Sequence, residues 1–168
     1  MDCFRLISFE SDLGWVGLLI TNSVIQRIKF GPAHEIQLLK SFDESFDVVT
    51  PNRAEKSWAR KLQKYASGQP TDLESIPIDL GHYTPFQSQV LKLCRQIPFG
   101  QTISYGELAD KASRPRAARA VGSTMKKNRY PLVVPCHRVV SSNGIGGYSA
   151  ASGISVKQRL LQREGVCI

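Results

Sequence analysis

Short apolar bursts open the chain: FRLISF at 4–9, WVGLLI at 15–20 and VIQRIKF at 24–30. Asp12-Leu13-Gly14 and Thr21-Asn22-Ser23 stand between them, and runs of strand length separated by turn residues predict an antiparallel meander of three strands. Between Asn52 and Ala66 the period changes. Trp58, Leu62 and Tyr65 recur at i, i+4 and i+7 in otherwise charged sequence, the stripe of an amphipathic helix. Strands with a helix on one face predict a small α+β domain. The stretch Ser67–Tyr83 loses its period at Gly68, Pro70, Pro77 and Gly81 and reads as a linker, so a first domain is predicted over residues 1–83.

Residues 84–168 form the second predicted domain. Thr84-Pro85-Phe86-Gln87 sets a capping threonine before proline at the first helical position and glutamine at the third, a firm helix start. Phe86, Val90, Leu93 and Ile97 make its apolar stripe, and Pro98-Phe99-Gly100 ends it. A second capping box, Ser104-Tyr105-Gly106-Glu107, starts a short helix to about Ala112. Across the turn Ser113-Arg114-Pro115 a third helix is predicted from about Pro115 to Lys127. Ala118, Val121 and Met125 face inward there, and Arg116, Arg119, Lys126 and Lys127 face outward. Two short helices, the second one basic, have the helix-turn-helix outline, and so does any helix pair with a solvated charged face. Leu132–Val140 reads as an apolar strand with a polar centre, and Asn143-Gly144 as a hairpin turn. A loop of small residues follows at 146–153, then a last helix capped by Ser155, with Val156, Leu160 and Leu161 inward and its end at Gly165.

Charge changes this picture. Net charge is +8 over 168 residues, but residues 1–83 carry 9 Lys and Arg against 11 Asp and Glu, whereas residues 84–168 carry 13 against 3. A basic second half is either a solvated surface or the footprint of a polyanion such as nucleic acid, and the asymmetry favours the polyanion. No apolar run is long enough to span a bilayer. The N-terminus MDCFRLISFE lacks the apolar core and small-residue cleavage site of a secretory signal, so a cytoplasmic protein (nuclear in a eukaryote) with no membrane partner is expected. Four cysteines (Cys3, Cys94, Cys136, Cys167) and three histidines (His34, His82, His137) form no CxxC or CxxH pair, which argues against a zinc finger and against a disulfide framework.

Cys136-His137 is the candidate chemistry. A cysteine set among valines and proline has its thiolate disfavoured by burial and needs help to act as a nucleophile. The adjacent histidine could supply it, but neighbouring side chains on a strand diverge, so the two must meet through a bend at Pro135 or a bridging water. From these residues alone, a buried cysteine beside a hydrogen-bonded histidine remains the alternative.

Taken together, RAARAVGSTMKKN, PCHRVV, GGYS and LLQREG resemble the O6-alkylguanine-DNA alkyltransferase family over residues 84–168, and residues 1–83 resemble that family's variable N-terminal domain in layout. The resemblance implies direct-reversal DNA repair in which the alkyl group of O6-alkylguanine, and of O4-alkylthymine, passes irreversibly to Cys136. On that resemblance His137 is the water-linked base, Glu164 the carboxylate orienting it, Asn128 a brace of the active-site turn, and Tyr105 the proton donor to the leaving guanine. Arg119 is the finger that replaces a flipped nucleotide. Tyr105, Arg116, Ala118, Gly122, Ser123 and Lys126 contact DNA in the minor groove, and Val139, Tyr148, Ser149 and Pro131 frame the base.

The resemblance further implies an α+β fold: a small N-terminal antiparallel sheet with a helix, ribonuclease H-like, and a mainly helical C-terminal domain holding the helix-turn-helix. The partner is double-stranded DNA carrying O6-alkylguanine, the protein is a monomer, and no cofactor is needed. Arg129 stands where the family commonly has proline, and Ala150-Ala151-Ser152-Gly153-Ile154 is longer than the family's loop. Cys3, His34 and His82 do not reproduce the zinc ligands of some members, so no metal is expected. A non-catalytic DNA-binding relative, a helix-turn-helix regulator and a Cys–His hydrolase are the alternatives. The first would lack the acceptor cysteine, the second leaves Cys136, His137 and Glu164 without a task, and the third is disfavoured by the adjacency of cysteine and histidine.

Overall fold

The computed structural model describes residues 3–151 and 153–167; Ser152 of the long loop lies outside them. The chain divides into two compact units, the first ending at Asp79 and the second beginning at Leu80. In the first, β1 (Phe4–Ser11), β2 (Gly14–Thr21) and β3 (Val24–Phe30) form the antiparallel meander expected from the pattern. Asn22 and Ser23, at φ 51° and 61°, make the two-residue turn between β2 and β3, the left-handed pair whose twist suits a hairpin. Two further elements carry too short a signal to read: α1 (Glu35–Ser41) and β4 (Phe46–Val48). β4 pairs parallel with β1, so the sheet is mixed rather than purely antiparallel, in the order β3-β2-β1-β4.

Leu6 and Leu19 pair across β1 and β2 and bury against Leu38 of α1 and against Phe42. On the opposite face Ile7 and Leu18 are buried too, and Arg5 of that face reaches α2 (Arg53–Ala66). A sheet covered on both faces explains why β2 reads as a nearly continuous apolar run. Gly17 is required there, because a Cβ would stand 2.9 Å from the Phe42 ring. Asn52 and Glu55 cap α2 reciprocally, at 3.0 and 2.8 Å. The buried Glu55 carboxylate also takes Arg5 Nη1 at 2.7 Å, so its charge is compensated. Ser67–Tyr83 is packed where it was expected to be a linker. Leu73 and Ile76 are buried, Ile25 N–H donates to Pro77 O at 3.1 Å, and Asp79 N–H donates to Ile25 O at 3.0 Å. Its prolines and glycines mark a loss of period, which is not a loss of packing.

In the second unit α3 (Pro85–Arg95) starts at Thr84, whose hydroxyl accepts from Gln87 N–H at 3.3 Å while Gln87 Oε1 accepts from Thr84 N–H at 3.1 Å. Its buried residues are Val90, Leu91 and Cys94; Phe86 and Leu93 are half-buried and Ile97 lies past the helix end. The inward face is turned from the predicted stripe because α3 packs against both helices that follow it. These are α4 (Tyr105–Lys111), boxed by Ser104 and Glu107, and α5 (Ala118–Lys126). α5 starts later than predicted because Ser113 and Arg116 adopt left-handed backbone, φ 58° and 69°, and hold Pro115 in a turn. Val121, Thr124 and Met125 are its buried residues, and Arg119 and Lys126 are exposed.

The largest departure is at 132–140. Pro131 and Val134 form an isolated bridge, Cys136–Arg138 is a single 3-10 turn, and only β6 (Val139–Val140) is extended, parallel with β5 (Ile103–Ser104). Pro131 and Pro135 cannot donate to a ladder, and they confine the apolar run to turns. The hairpin turn is Ser142-Asn143, closed by the Ser141–Gly144 bridge. The last helix, α6 (Ile154–Arg163), starts after Gly153 with no side-chain cap, so Ser155 lies inside it. Among the described residues no helix is long and apolar enough to cross a membrane.

Candidate active site

The 3-10 turn removes the geometric difficulty of adjacent cysteine and histidine. With three residues per turn, successive side chains leave the axis about 120° apart, so Cys136, His137 and Arg138 fan out in three directions. Cys136 forms part of the wall of a cavity of about 650 Å³. His137 and Arg138 converge on Glu164, the C-cap residue of α6.

Around that carboxylate every distance is short. His137 Nε2 donates to Oε1 at 2.7 Å, Arg138 Nε to Oε2 at 2.9 Å, Arg138 Nη2 to Oε1 at 3.0 Å, and Gly100 N–H to Oε2 at 3.0 Å. Arg138 Nη1 donates to Ile97 O at 2.6 Å. All three side chains are buried, and a buried carboxylate tolerates this only with its charge matched and its lone pairs used. A carboxylate can only accept, so Nε2 of His137 carries the proton. Burial holds the His137 pKa below its ordinary value; the Glu164 bond opposes this, and the charges of Arg138 and Lys157 reinforce it.

The thiol has its own partners. Asn128 Nδ2 donates to Cys136 Sγ at 3.1 Å and to Val134 O at 3.0 Å, while Oδ1 accepts from Tyr130 N–H at 2.9 Å. The side chain thus pins the 130–136 turn and presents an N–H to sulfur at once. Burial raises the Cys136 pKa; the Asn128 donor, the Lys157 charge and the N–H groups of Cys136 and His137 pull it back. Tyr105, at the head of α4, lines the same cavity, its hydroxyl 3.5 Å from Gly147 O. Burial raises its pKa, with the Cys136 and Cys94 thiols adding to the effect. Gly146, at φ 73°, sits where an L side chain would be strained, and a Cβ there would crowd the Tyr105 ring at 3.1 Å. Ser149 Oγ donates to Lys126 O at 3.2 Å and latches the small-residue loop to the end of α5.

Of the residues singled out in the sequence, Cys136, Tyr105, Arg119, Gly122, Ser123, Lys126, Tyr148 and Ser149 line one cavity. Asn128, His137 and Glu164 form the layer behind the thiol. Arg116 is exposed in the turn before α5 and Ala118 is half-buried at its start; neither lines the cavity. Val139 and Pro131 are buried behind the wall, and the Val139 carbonyl accepts from Lys157 Nζ at 2.6 Å. Sequence reasoning missed Arg138, Lys157, Met125, Gly147 and Ile154. Arg138 stood inside the PCHRVV string as one basic residue among many, and Lys157 reads as an ordinary helix lysine. Arg129 has a structural reason: its N–H donates to the Tyr83 hydroxyl at 3.0 Å, which proline cannot do, and that hydroxyl donates to Lys127 O at 2.9 Å.

A family model described as 6-O-methylguanine DNA methyltransferase, DNA binding domain, matches residues 85–166. The methylated-DNA–protein-cysteine methyltransferase of Shigella flexneri is 45% identical over 106 residues, which is 62% of this chain and 60% of that protein's length. The protein of the same name from Methanopyrus kandleri is 38% identical over 109 residues, 65% of this chain and 79% of that protein. The crystal structure of Mycobacterium tuberculosis OGT in complex with DNA aligns with a TM-score of 0.74 at 33% identity, covering 95% of this chain and 92% of that chain. This chain belongs to the methylated-DNA–protein-cysteine methyltransferase family. The methyltransferase family match takes in the whole Cys136–His137–Glu164 cluster and the cavity around it, and the solved relative extends the likeness across the first unit.

Proposed function

We propose that this protein repairs DNA by moving the alkyl group from O6 of a damaged guanine in double-stranded DNA onto Sγ of Cys136. The observation that carries the reading is the thiol itself, 6% exposed, in the wall of a cavity rimmed by the basic helix α5, in a chain of this methyltransferase family. The thiolate attacks the alkyl carbon, the carbon–oxygen bond breaks with its electron pair going to guanine, and the base departs with a proton. His137, oriented by Glu164, takes the thiol proton through a water molecule, and the Tyr105 hydroxyl hands a proton to the base and is reprotonated from solvent. One proton leaves sulfur and one reaches guanine, so the step balances. The product is a thioether, which water does not cleave, so each molecule acts once.

A thiol this deep cannot meet a base inside the stack, and extruding the nucleotide costs a few kcal/mol. Arg119, exposed at the start of α5 and lining the cavity, fills the vacated space. Ala118, Gly122 and Ser123 let the helix approach the minor groove, where readout is degenerate and suits a search for damage in any sequence. Arg116 and Lys126 meet phosphates. Tyr148 and Ser149 frame the base from the cavity wall, with Pro131 and Val139 buried behind them, and O4-alkylthymine is a second substrate. The protein works as a monomer in the cytoplasm, or in the nucleus of a eukaryote, without a cofactor. Incubation with a duplex containing O6-methylguanine, followed by mass spectrometry of the Cys136 peptide, tests the reading. A gain of one methyl on Cys136 is expected; binding of the duplex with an unmodified Cys136 would overturn it.

A further inference from the structure

We propose that Lys157 is the positive partner of the Cys136 thiolate and that the same ammonium clamps the Gly147 loop against β6, just past the acceptor turn; the inference rests on the alkyl-transfer reading above. Lys157 lies in the first turn of α6 and is completely buried. Its Nζ donates to Val139 O at 2.6 Å and to Gly147 O at 3.1 Å, and stands 5.9 Å from the Tyr105 ring centroid. Val139 is three residues past the acceptor, and Gly147 and Tyr105 line the cavity that Cys136 lines. The ammonium therefore joins β6, the loop and the tyrosine behind one wall.

Carbonyl dipoles and a ring face do not neutralise a buried unit charge, and among the described residues no carboxylate pairs with Lys157. The carboxylate behind the thiol, Glu164, is already matched by Arg138 and His137. The titratable groups whose fields act on or from Lys157 are the thiols of Cys136 and Cys94, and His137; the Tyr105 hydroxyl shares the wall. Cys94 sits wholly inside α3 and burial pushes its thiol well up. Cys136 faces the cavity and receives N–H donors from Asn128 and its own turn. Of the two thiols, Cys136 has the donors and the cavity access that favour its thiolate.

The lysine also reports on the thiol. Burial brings its pKa down to about 8, and the Cys136 thiolate works against that fall. Alkyl transfer turns the thiolate into a neutral thioether, so Lys157 loses its counter-charge in the same step. The lysine pKa must then fall further, and the clamp on Gly147 weakens as the proton leaves.

A charge partner and a mere clamp differ in one readout. Removing the charge raises the thiol pKa; each unit costs tenfold in thiolate at neutral pH, offset in part because a more basic thiolate is a better nucleophile, for a net loss of about threefold per unit. Loss of a clamp lowers the limiting rate without moving the inflection. The test uses the full chain as wild type, Lys157→Gln, which keeps a donor for the carbonyls without the charge, and Lys157→Arg, which keeps the charge. Iodoacetamide modification of the Cys136 peptide is followed by mass spectrometry from neutral to alkaline pH, beside transfer from an O6-methylguanine duplex. Lys157→Gln is expected to raise the inflection by about one unit or more and to slow modification at neutral pH about threefold or more, while Lys157→Arg keeps the wild-type inflection. An inflection unmoved in Lys157→Gln overturns the assignment.

Should that variant fail to fold, the wild-type protein carries the test. The ε-carbon resonance of Lys157 is titrated before and after methylation of Cys136 with methyl iodide. A lower midpoint after methylation is expected, and equal midpoints overturn the assignment. Absence of transfer from DNA with a shifted thiol inflection sinks the repair reading and leaves Lys157 as the thiolate's partner; transfer from DNA with an unmoved inflection sinks only the role of Lys157.

Discussion

Replacing Asn128 with alanine separates the two tasks its amide performs. The side chain makes three hydrogen bonds: Nδ2 to Cys136 Sγ at 3.1 Å, Nδ2 to Val134 O at 3.0 Å, and Oδ1 from Tyr130 N–H at 2.9 Å. The two backbone bonds pin a buried turn, and at about 1 kcal/mol each or somewhat more their loss costs about 2–3 kcal/mol of stability. For a chain of this length that is roughly 4–12 °C in Tm. The bond to sulfur is worth more when sulfur is charged, about 1.5–3 kcal/mol, and at about 1.4 kcal/mol per unit its loss raises the thiol pKa by roughly one to two units. Thiolate at neutral pH then falls roughly tenfold to a hundredfold. Urea unfolding reads the first effect, and the pH profile of Cys136 modification by iodoacetamide reads the second. A variant that loses stability while its thiol profile stays put would show that Asn128 only braces the turn, and the electrostatic part of the reasoning would be refuted.

Glu164→Gln leaves Arg138 buried without its counter-charge and should cost about 3–5 kcal/mol in urea unfolding. Adding Arg138→Met should recover part of that cost, and strictly additive penalties would contradict the pairing. Gly146→Ala forces a Cβ to 3.1 Å from the Tyr105 ring at φ 73°, so about 1–3 kcal/mol of stability should be lost and alkyl transfer slowed; a wild-type transfer rate would show that the loop yields freely. His137 has a folded pKa below its unfolded value of about 6.5, so the unfolded state binds more protons between the two. Its contribution to stability is full above that unfolded value and is lost as pH falls through the folded pKa. Denaturant midpoints across mildly acidic pH should fall in the wild type and fall less in His137→Gln. A group on Cys136 Sγ crowds the Asn128 amide, so the alkylated protein should melt below the free one; equal melting temperatures would contradict this.

Much of the architecture can be read from periodicity because its signals are local. The Thr84 and Ser104 capping boxes mark two helix starts, and each is present with both reciprocal bonds. α1 and β4 escape because they span seven and three residues, too few for a period to emerge, and their place depends on the partner they cover. The run at 132–140 misleads because its valines and leucines have strand propensity, whereas Pro131, Pro135 and the Asn128 amide impose turns. Within the site, the motif strings drew attention to Cys136, His137, Asn128 and Glu164. Lys157 and Arg138 stayed hidden because burial is what distinguishes them, and a charged residue buried by tertiary packing looks like a surface residue in one dimension.

The central claim, a single irreversible transfer to Cys136, is tested most directly by counting. A duplex carrying isotopically labelled O6-methylguanine is supplied in excess, and the label covalently bound to protein is followed until it stops rising. A plateau at one label per protein molecule, all on Cys136 and absent from Cys136→Ala, is the expected result. Continued release of repaired DNA beyond one equivalent, or label on any other residue with Cys136 unmodified, would contradict it.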